Sequence, residues 1–181
     1  MNNGWYDAIH LTELLEKYED TISQYQPLLE IQSLTQGLEK LNTNFSVELL
    51  SLAEISAPNY ANILLEPKQT QNYFSRRVIL KLDEQPVIWA ESLCDVESGF
   101  WREYLNCGTQ SLGRKLFSGN EISRTPFFYK IFAVEELPFD LFDEDLHVRF
   151  LIARQSVFTY KNENLCLTEW YLPNLRRFLA N

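Results

Sequence analysis

The pattern of apolar and polar positions predicts helices in the first part of the chain. Apolar residues recur at helical spacing from residue 5 to residue 41, and Pro27 interrupts them with a break just before it. A second helical run, with leucines at its apolar positions, starts at Pro27, and Ser33 within it is a candidate helix cap. Two further short helices, separated at Gly108, are predicted in residues 98 to 117.

Six later stretches alternate between apolar and polar residues, which is the period of a strand. Two of them form a predicted hairpin around an acidic, proline-bounded turn. Because most links between strands are short, an antiparallel sheet is favoured over alternating βαβ units. We therefore expect an α+β fold, in which an antiparallel sheet of about six strands packs with helices in a single domain, residues 1 to 181. The predicted strands are residues 45–55, 74–82, 87–93, 122–132, 146–160 and 165–173.

The last predicted strand, read LCLTEWYLP, contains a single carboxylate, that of Glu169. With a period of two, Glu169 shares a face of the strand with Leu165, Leu167 and Tyr171. Burying an ionised carboxylate without a partner costs several kcal/mol. We therefore expect Glu169 to be paired with a partner group, to be protonated, or to have a functional role.

Two consecutive arginines lie in the predicted strand YFSRRVILKL, and only one of them can face the interior. Arg76 is in register with three apolar residues, whereas Arg77 is in register with Lys81. Since Lys81 marks the wet face, Arg76 is predicted to point inward. An inward Arg76 and Glu169 form either a buried ion pair or a polar pocket, and a solvated edge is the third alternative.

The charge of the chain narrows the classes of partner. Its 181 residues include 25 acidic and 16 basic side chains, a formal net charge of −9, which argues against nucleic acid or an anionic membrane surface as a partner. A small anionic ligand is compatible with this charge, because an arginine in a low-dielectric pocket outweighs distant, screened surface charges. We expect a monomer.

Neither composition nor motifs indicate a metal or another cofactor. The three cysteines lack metal-type or redox spacing, which predicts no disulfide framework and a reducing, cytoplasmic environment. His10 and His147 are expected to have surface or capping roles. No phosphate loop, HExxH, CxxC pair or GxSxG motif occurs, and no stretch reaches the roughly 20 apolar residues that cross a bilayer. This leaves chemistry by arginine, carboxylate and backbone donors.

Four local motifs follow one another along the chain: IQSLT at 31–35, YFSRRVILKL at 73–82, SLGRKLF at 111–117 with ISR at 122–124, and LTEWYLP at 167–173. In their order and spacing they resemble the chorismate–pyruvate lyase family over residues 28 to 173. The resemblance implies an antiparallel sheet backed by helices, with a ligand enclosed under helical lids. It also implies a cofactor-independent lyase that converts chorismate to 4-hydroxybenzoate and pyruvate, the entry to ubiquinone or plastoquinone synthesis.

The resemblance also implies roles for four residues. Arg76 would bind the ring carboxylate and Glu169 the 4-hydroxyl, at opposite ends of one ligand. The backbone of Leu112 would contact the ligand, and Leu34 stands at a lid position commonly occupied by methionine. We therefore expect all four to bind substrate, with Arg76 and Glu169 catalytic. A non-catalytic sensor of a small hydroxybenzoate-like anion, built on the same fold, is the alternative.

Two further arginines and one acidic segment stand outside these roles. Arg124 and Arg154 would either add positive potential near the second carboxylate of chorismate or form ordinary surface salt bridges. The segment of residues 125 to 145 is longer and more acidic than the corresponding segment of the shorter bacterial enzymes. Within them, residues 134 to 145 are predicted to be a surface connection or edge.

Overall fold

A computed structural model describes residues 4–18, 22–41, 44–61, 72–116, 121–141 and 147–180, and the α+β prediction is confirmed. In these ranges eight strands form one antiparallel sheet in the order β1-β6-β7-β8-β4-β3-β2, with β5 also paired to β7. Six strands are long and two contain only two residues. The strands are β1 Tyr6–Asp7, β2 Phe45–Ser56, β3 Asn72–Leu82, β4 Gln85–Asp95, β5 Ser123–Arg124, β6 Phe128–Ala133, β7 Phe150–Tyr160 and β8 Glu163–Tyr171.

The helices are short, and all pack on one face of the sheet. They are α1 Leu11–Lys17, α2 Gln26–Leu29, α3 Leu34–Glu39, α4 Gly99–Leu105, α5 Leu112–Leu116 and α6 Arg176–Leu179. Single turns of 3₁₀ helix lie at Ala8–His10, Ser23–Tyr25, Asn59–Ala61, Val134–Glu136 and Pro173–Leu175. No helix in the described ranges is both long and apolar enough to cross a membrane.

The break predicted just before Pro27 lies earlier in the chain, because α1 ends at Lys17, whereas Ser23–Tyr25 form a 3₁₀ turn that leads directly into α2 at Gln26. The run that follows was predicted as one helical pattern, but it forms two helices separated by residues 30 to 33. Ser33 is the cap of α3, as predicted. Its side-chain oxygen accepts a hydrogen bond from the backbone N–H of Gln36 at 3.4 Å, which satisfies one of the unpaired donors of the first turn.

Two tight turns set the register of the sheet. Asp83 and Glu84 join β3 to β4, Lys161 and Asn162 join β7 to β8, and all four residues have positive φ angles between 44° and 68°. This backbone geometry matches the right-handed twist of a two-residue hairpin. Since a slip of one residue would move every side chain to the opposite face, the turns decide which residues point inward.

The two faces of the sheet carry separate apolar cores. The inner face, which carries Arg76, Val78 and Leu80 on β3, packs against the helices. The outer face carries an aromatic cluster that includes Trp89 and Trp170, whose rings meet edge to face at 5.1 Å. Both faces are therefore covered in the middle of the sheet.

The face of β3 that carries Lys81 is predicted to be exposed to solvent, but at Arg77 this face is partly buried. The side chain of Arg77 is 30% exposed, and its Nε lies 2.7 Å from Oε1 of Glu91, which is buried. Ser75 and Tyr60 also donate hydrogen bonds to the carboxylate of Glu91. The outer face thus holds a buried carboxylate satisfied by three donors beside its aromatic cluster.

The acidic segment also contributes to the outer face, rather than forming only the predicted surface connection. Residues 142 to 145 lie outside the described part of the chain. In the described part, the ring of Phe139 stacks on Trp89 with centroids 4.5 Å apart, and Leu137 and Leu141 pack beside it. The apolar residues interleaved with the acidic ones therefore cover the aromatic cluster.

The hairpin turns give a stability prediction. We expect Glu84→Gly to stabilise the protein by about 0.5–1 kcal/mol, because glycine adopts the positive φ of 63° without the steric cost that glutamate bears there. Urea unfolding measures the difference. Glu97→Gly is the control, since Glu97 is also exposed in a turn but has no positive φ, and this change should destabilise. Equal effects of the two substitutions on the free energy of unfolding would show that the positive φ of Glu84 does not destabilise the protein.

Candidate active site

A cavity lies between the inner face of the sheet and the two short helices α3 and α5. It contains about 560 Å³ not filled by protein atoms, and this space includes open solvent at its mouth. Its floor is roomy because Ala90, Ser92 and Ser156 have small side chains. Arg76 and Glu169 both line it, as the strand parity predicted.

Arg76 stands at one end of the cavity, on β3. It is 2% exposed, and its Nη2 donates to the backbone oxygens of Gly108 and Gln110 at 2.9 and 3.1 Å. Its Nε is buried and makes no hydrogen bond to any described residue. Burial lowers the pKa of the Arg76 guanidinium. A buried cation with an unused donor provides a site for an anion at this end.

Glu169 on β8 forms an ion pair with Arg154 on β7. Oε2 of Glu169 lies 2.6 Å from Nε of Arg154, whose side chain is 2% exposed. The alternative of a surface salt bridge is therefore wrong for Arg154. Burial opposes the charge on Arg154, but the carboxylate of Glu169, together with Tyr171 and Tyr129, raises the pKa of the guanidinium overall. Nη1 of Arg154 also donates to the backbone oxygens of Leu28, Leu29 and Ile31 at 2.8–3.2 Å.

The pairing of Arg154 with Glu169 was not predicted, although the sequence contains a signal for it. Counting outward from the turn at 161 and 162, Tyr160 pairs with Glu163 and therefore Arg154 pairs with Glu169. Both side chains then fall on the same face at neighbouring positions. Within the described chain, Arg76 lies on the same cavity as Glu169 but is not its hydrogen-bond partner.

The helices α3 and α5 close over the cavity, and each contributes its first residue, Leu34 or Leu112, to the lining. The hydroxyls of Thr35 and Ser111 are hydrogen-bonded across the gap at 2.8 Å. Gly113 makes this approach possible, since a Cβ added there would lie 2.8 Å from Oγ1 of Thr35. We call these two helices and their capping serines the lids.

Arg124 on β5 also lines the cavity, near the ion pair. Nη1 of Arg124 donates to the backbone oxygen of Gln32 at 2.7 Å, and Nη2 donates to the side-chain oxygen of the same residue. Its guanidinium lies 4.3 Å from the ring centre of Phe127, and that of Arg154 lies 4.2 Å from the same centre. Burial, followed by the charge of Arg154, lowers the pKa of Arg124.

Other reactive side chains lie away from this cavity or are inert. His10 is exposed and paired with Asp7, and His147 is exposed. Cys94 and Cys166 are buried, which raises the pKa of each thiol to about 12, so neither is a ready nucleophile. In the described ranges, no group of three or more His, Cys, Asp or Glu side chains is placed to hold a metal ion.

The arrangement suits a small ligand with an anionic group at one end and a hydroxyl group at the other. Arg76 offers a planar donor set to a carboxylate, and Glu169 offers an acceptor to a hydroxyl. The apolar side chains between them, including Val78 and Leu167, suit a ring. Such a site can orient and polarise its ligand in a partly desolvated space.

Solved structures share the fold. The effector domain of PhnF from Mycobacterium smegmatis superposes with a TM-score of 0.56 at 11% identity, covering 79% of this chain and 90% of that one. The longer PhnF structure gives 0.58 at 16% identity, covering 81% of this chain and 66% of that one. At this identity the similarity shows the fold alone.

Sequence comparison identifies the family. The probable chorismate pyruvate-lyase of Nitrosomonas europaea is 31% identical over 149 residues, which are 80% of this chain and 84% of that protein. That of Methylobacillus flagellatus is 30% identical over 156 residues, which are 83% of this chain and 88% of that protein. The family model for chorismate lyase matches residues 12 to 178. The chain therefore belongs to the chorismate lyase family.

Proposed function

We propose that this protein is a chorismate lyase that converts chorismate to 4-hydroxybenzoate and pyruvate. The observation that carries the proposal is the pairing, on one largely apolar cavity, of a buried arginine with an unused Nε and a carboxylate at the other end. The names of the two relatives support the same reaction. Arg76, Glu169, Leu34 and Leu112 are the residues to which we assign substrate binding.

In this proposal Arg76 binds the ring carboxylate through its unused Nε–H and its positive charge. Glu169 accepts a hydrogen bond from the 4-hydroxyl, and Arg154 fixes the carboxylate by holding Oε2. Leu112 contacts the ligand through its backbone, and Leu34 closes the lid. Arg76 and Glu169 thus hold opposite ends of the ring and determine its orientation.

The proposed reaction requires the substrate ring to be oriented more than it requires a reactive group to be activated. Chorismate is a cyclohexadiene that becomes aromatic when the bond between C3 and the ether oxygen breaks and C4 loses its hydrogen. The oxygen leaves with the enolpyruvyl fragment, which gains a proton on its methylene carbon and becomes pyruvate. The C4 hydrogen goes either to a base or directly to that methylene, and both routes require the same placement of the ring by Arg76 and Glu169.

The two products contain all the atoms of chorismate with no net oxidation, so the reaction needs no redox cofactor. We propose that the 4-hydroxybenzoate enters prenylquinone synthesis, either of ubiquinone or of plastoquinone, and that the enzyme works in the cytoplasm. A sensor that binds a hydroxybenzoate-like anion without turnover is the second candidate, because the effector domain of PhnF has the same fold.

A direct assay tests the proposed reaction. We expect purified protein incubated with chorismate to release pyruvate and 4-hydroxybenzoate in equal amounts, measured by a coupled dehydrogenase assay and by chromatography. Chorismate incubated without protein corrects for spontaneous decay. Tight binding of 4-hydroxybenzoate by calorimetry, with no product above that control, would support the sensor and reject the lyase.

The two ends of the cavity should differ kinetically. Arg76→Ala should raise KM and lower kcat together, with a loss on the order of 10–100-fold in kcat/KM, because a charged hydrogen bond to the substrate is lost. Glu169→Gln should lower chiefly kcat. Steady-state kinetics measure both, with Arg102→Ala as the control because Arg102 is exposed on α4. If both variants had the kcat and KM of the parent protein, Arg76 and Glu169 would have no role in the mechanism.

The contact between the lids should set the rate of product release. Thr35→Val keeps the shape of the side chain but removes the hydrogen bond to Ser111, which is worth about 0.5–1.5 kcal/mol. We expect 4-hydroxybenzoate to dissociate roughly 2–10-fold faster, as measured by stopped-flow fluorescence. Ser56→Ala, at an exposed position at the end of β2, is the control. An unchanged dissociation rate would show that the lids are not held by this bond.

A further inference from the structure

The cavity carries more positive charge than a single carboxylate neutralises. Among the described residues that line it, three have guanidinium groups and one has a carboxylate: Arg76, Arg124 and Arg154 against Glu169. Positive charge in a partly desolvated cavity attracts anionic ligands more strongly than the same charge in water. This balance favours a ligand with two negative charges over a ligand with one.

Arg154 is already committed within the protein. Its Nε binds Glu169, and its Nη1 donates to three backbone oxygens of the segment between α2 and α3. The remaining two arginines stand on different sides of the cavity. Arg76 is on β3 and Arg124 is on β5, with β4, β8 and β7 between them, so their backbones are about 19 Å apart at the usual strand spacing. Each side chain reaches toward the space between.

Arg124 lies on the same side of the sheet as the Arg154–Glu169 pair, because β5 is the neighbour of β7. It is paired with Phe158 on β7, the strand that also carries Arg154. The guanidinium groups of Arg124 and Arg154 lie at nearly equal distances from the ring of Phe127. Both guanidinium groups thus lie around Phe127, and positive charge on this side of the cavity favours an anion there. The position next to the ion pair is therefore suited to a carboxylate.

The substrate has its second carboxylate in the matching place. In chorismate the enolpyruvyl ether is attached to C3, which is adjacent to the C4 that carries the hydroxyl. If Arg76 binds the ring carboxylate and Glu169 binds the 4-hydroxyl, the enolpyruvyl group extends from the Glu169 end of the ring. Its carboxylate then falls on the side of the cavity where Arg124 stands.

We propose that Arg124 binds the enolpyruvyl carboxylate of chorismate and so forms the subsite from which pyruvate leaves. This inference rests on the proposed lyase function and adds a second carboxylate site to it. The product 4-hydroxybenzoate has one carboxylate and does not fill this subsite. Arg124 therefore distinguishes substrate from product, whereas Arg76 binds both.

The contact with Gln32 gives the subsite a link to the lids. Gln32 holds Arg124 through both its backbone oxygen and its side-chain oxygen, immediately before the cap of α3. A carboxylate at Arg124 thus lies close to the residues that start the first lid. Arg124 would therefore contact both the leaving group and the residue that precedes the cap of the first lid.

The test compares one ligand that reaches the subsite with one that does not. In Arg124→Met we expect KM for chorismate to rise at least tenfold, because a charged contact is lost, while Kd for 4-hydroxybenzoate changes less than twofold. In Arg76→Ala both constants should rise. Steady-state kinetics give KM and calorimetry gives Kd, with Arg102→Met as the exposed control.

A second variant protects the test against a folding defect. Arg124→Lys keeps the charge but not the planar donor set, and KM for chorismate should lie between the values of the parent and Arg124→Met. Circular dichroism and thermal melting confirm the fold of each variant. Equal changes in KM for chorismate and Kd for 4-hydroxybenzoate, or no change in either, would overturn the subsite. Absence of turnover in the parent would instead reject the lyase function itself.

Discussion

Placing Arg154 and Glu169 side by side on the inner face removes two charges from water, at a desolvation cost of several kcal/mol for each ion. Their short contact offsets part of this cost, and the backbone oxygens of residues 28, 29 and 31 satisfy further donors of Arg154. The same contacts attach the segment between α2 and α3 to the sheet. The orientation of Glu169 and the position of the first lid therefore depend on one guanidinium group.

The division of the sheet into two faces explains how a polar cavity can exist in so small a protein. The outer face uses aromatic rings, including Trp89 and Trp170, to build a dense core. This core stabilises the central strands from the side that faces away from the ligand. The inner face can then place small residues such as Ala90 and Ser92 opposite the lids and leave space unfilled, a loss of packing that the other face compensates.

The sequence predicted the cavity residues well where a purely local rule applies. The period of two placed Arg76 and Glu169 on one face, and the turn at 83 and 84 joined the strands as expected. What the sequence did not reveal depends on contacts between distant segments. The division of the helical run after Pro27 coincides with the contacts that Arg154 makes to residues 28 to 31, and the ring of Trp89 on the outer face is covered by Phe139 from the acidic segment. Neither effect leaves a signal in the periodicity of its own segment.

The absence of a side chain at residue 113 determines how closely the two lids can approach. Even a single methyl group at this position would press against Thr35 and separate α5 from α3. The hydrogen bond between Thr35 and Ser111 would then be stretched, and the mouth of the cavity would widen. The entrance is therefore kept narrow by a residue that itself contributes only a hydrogen atom.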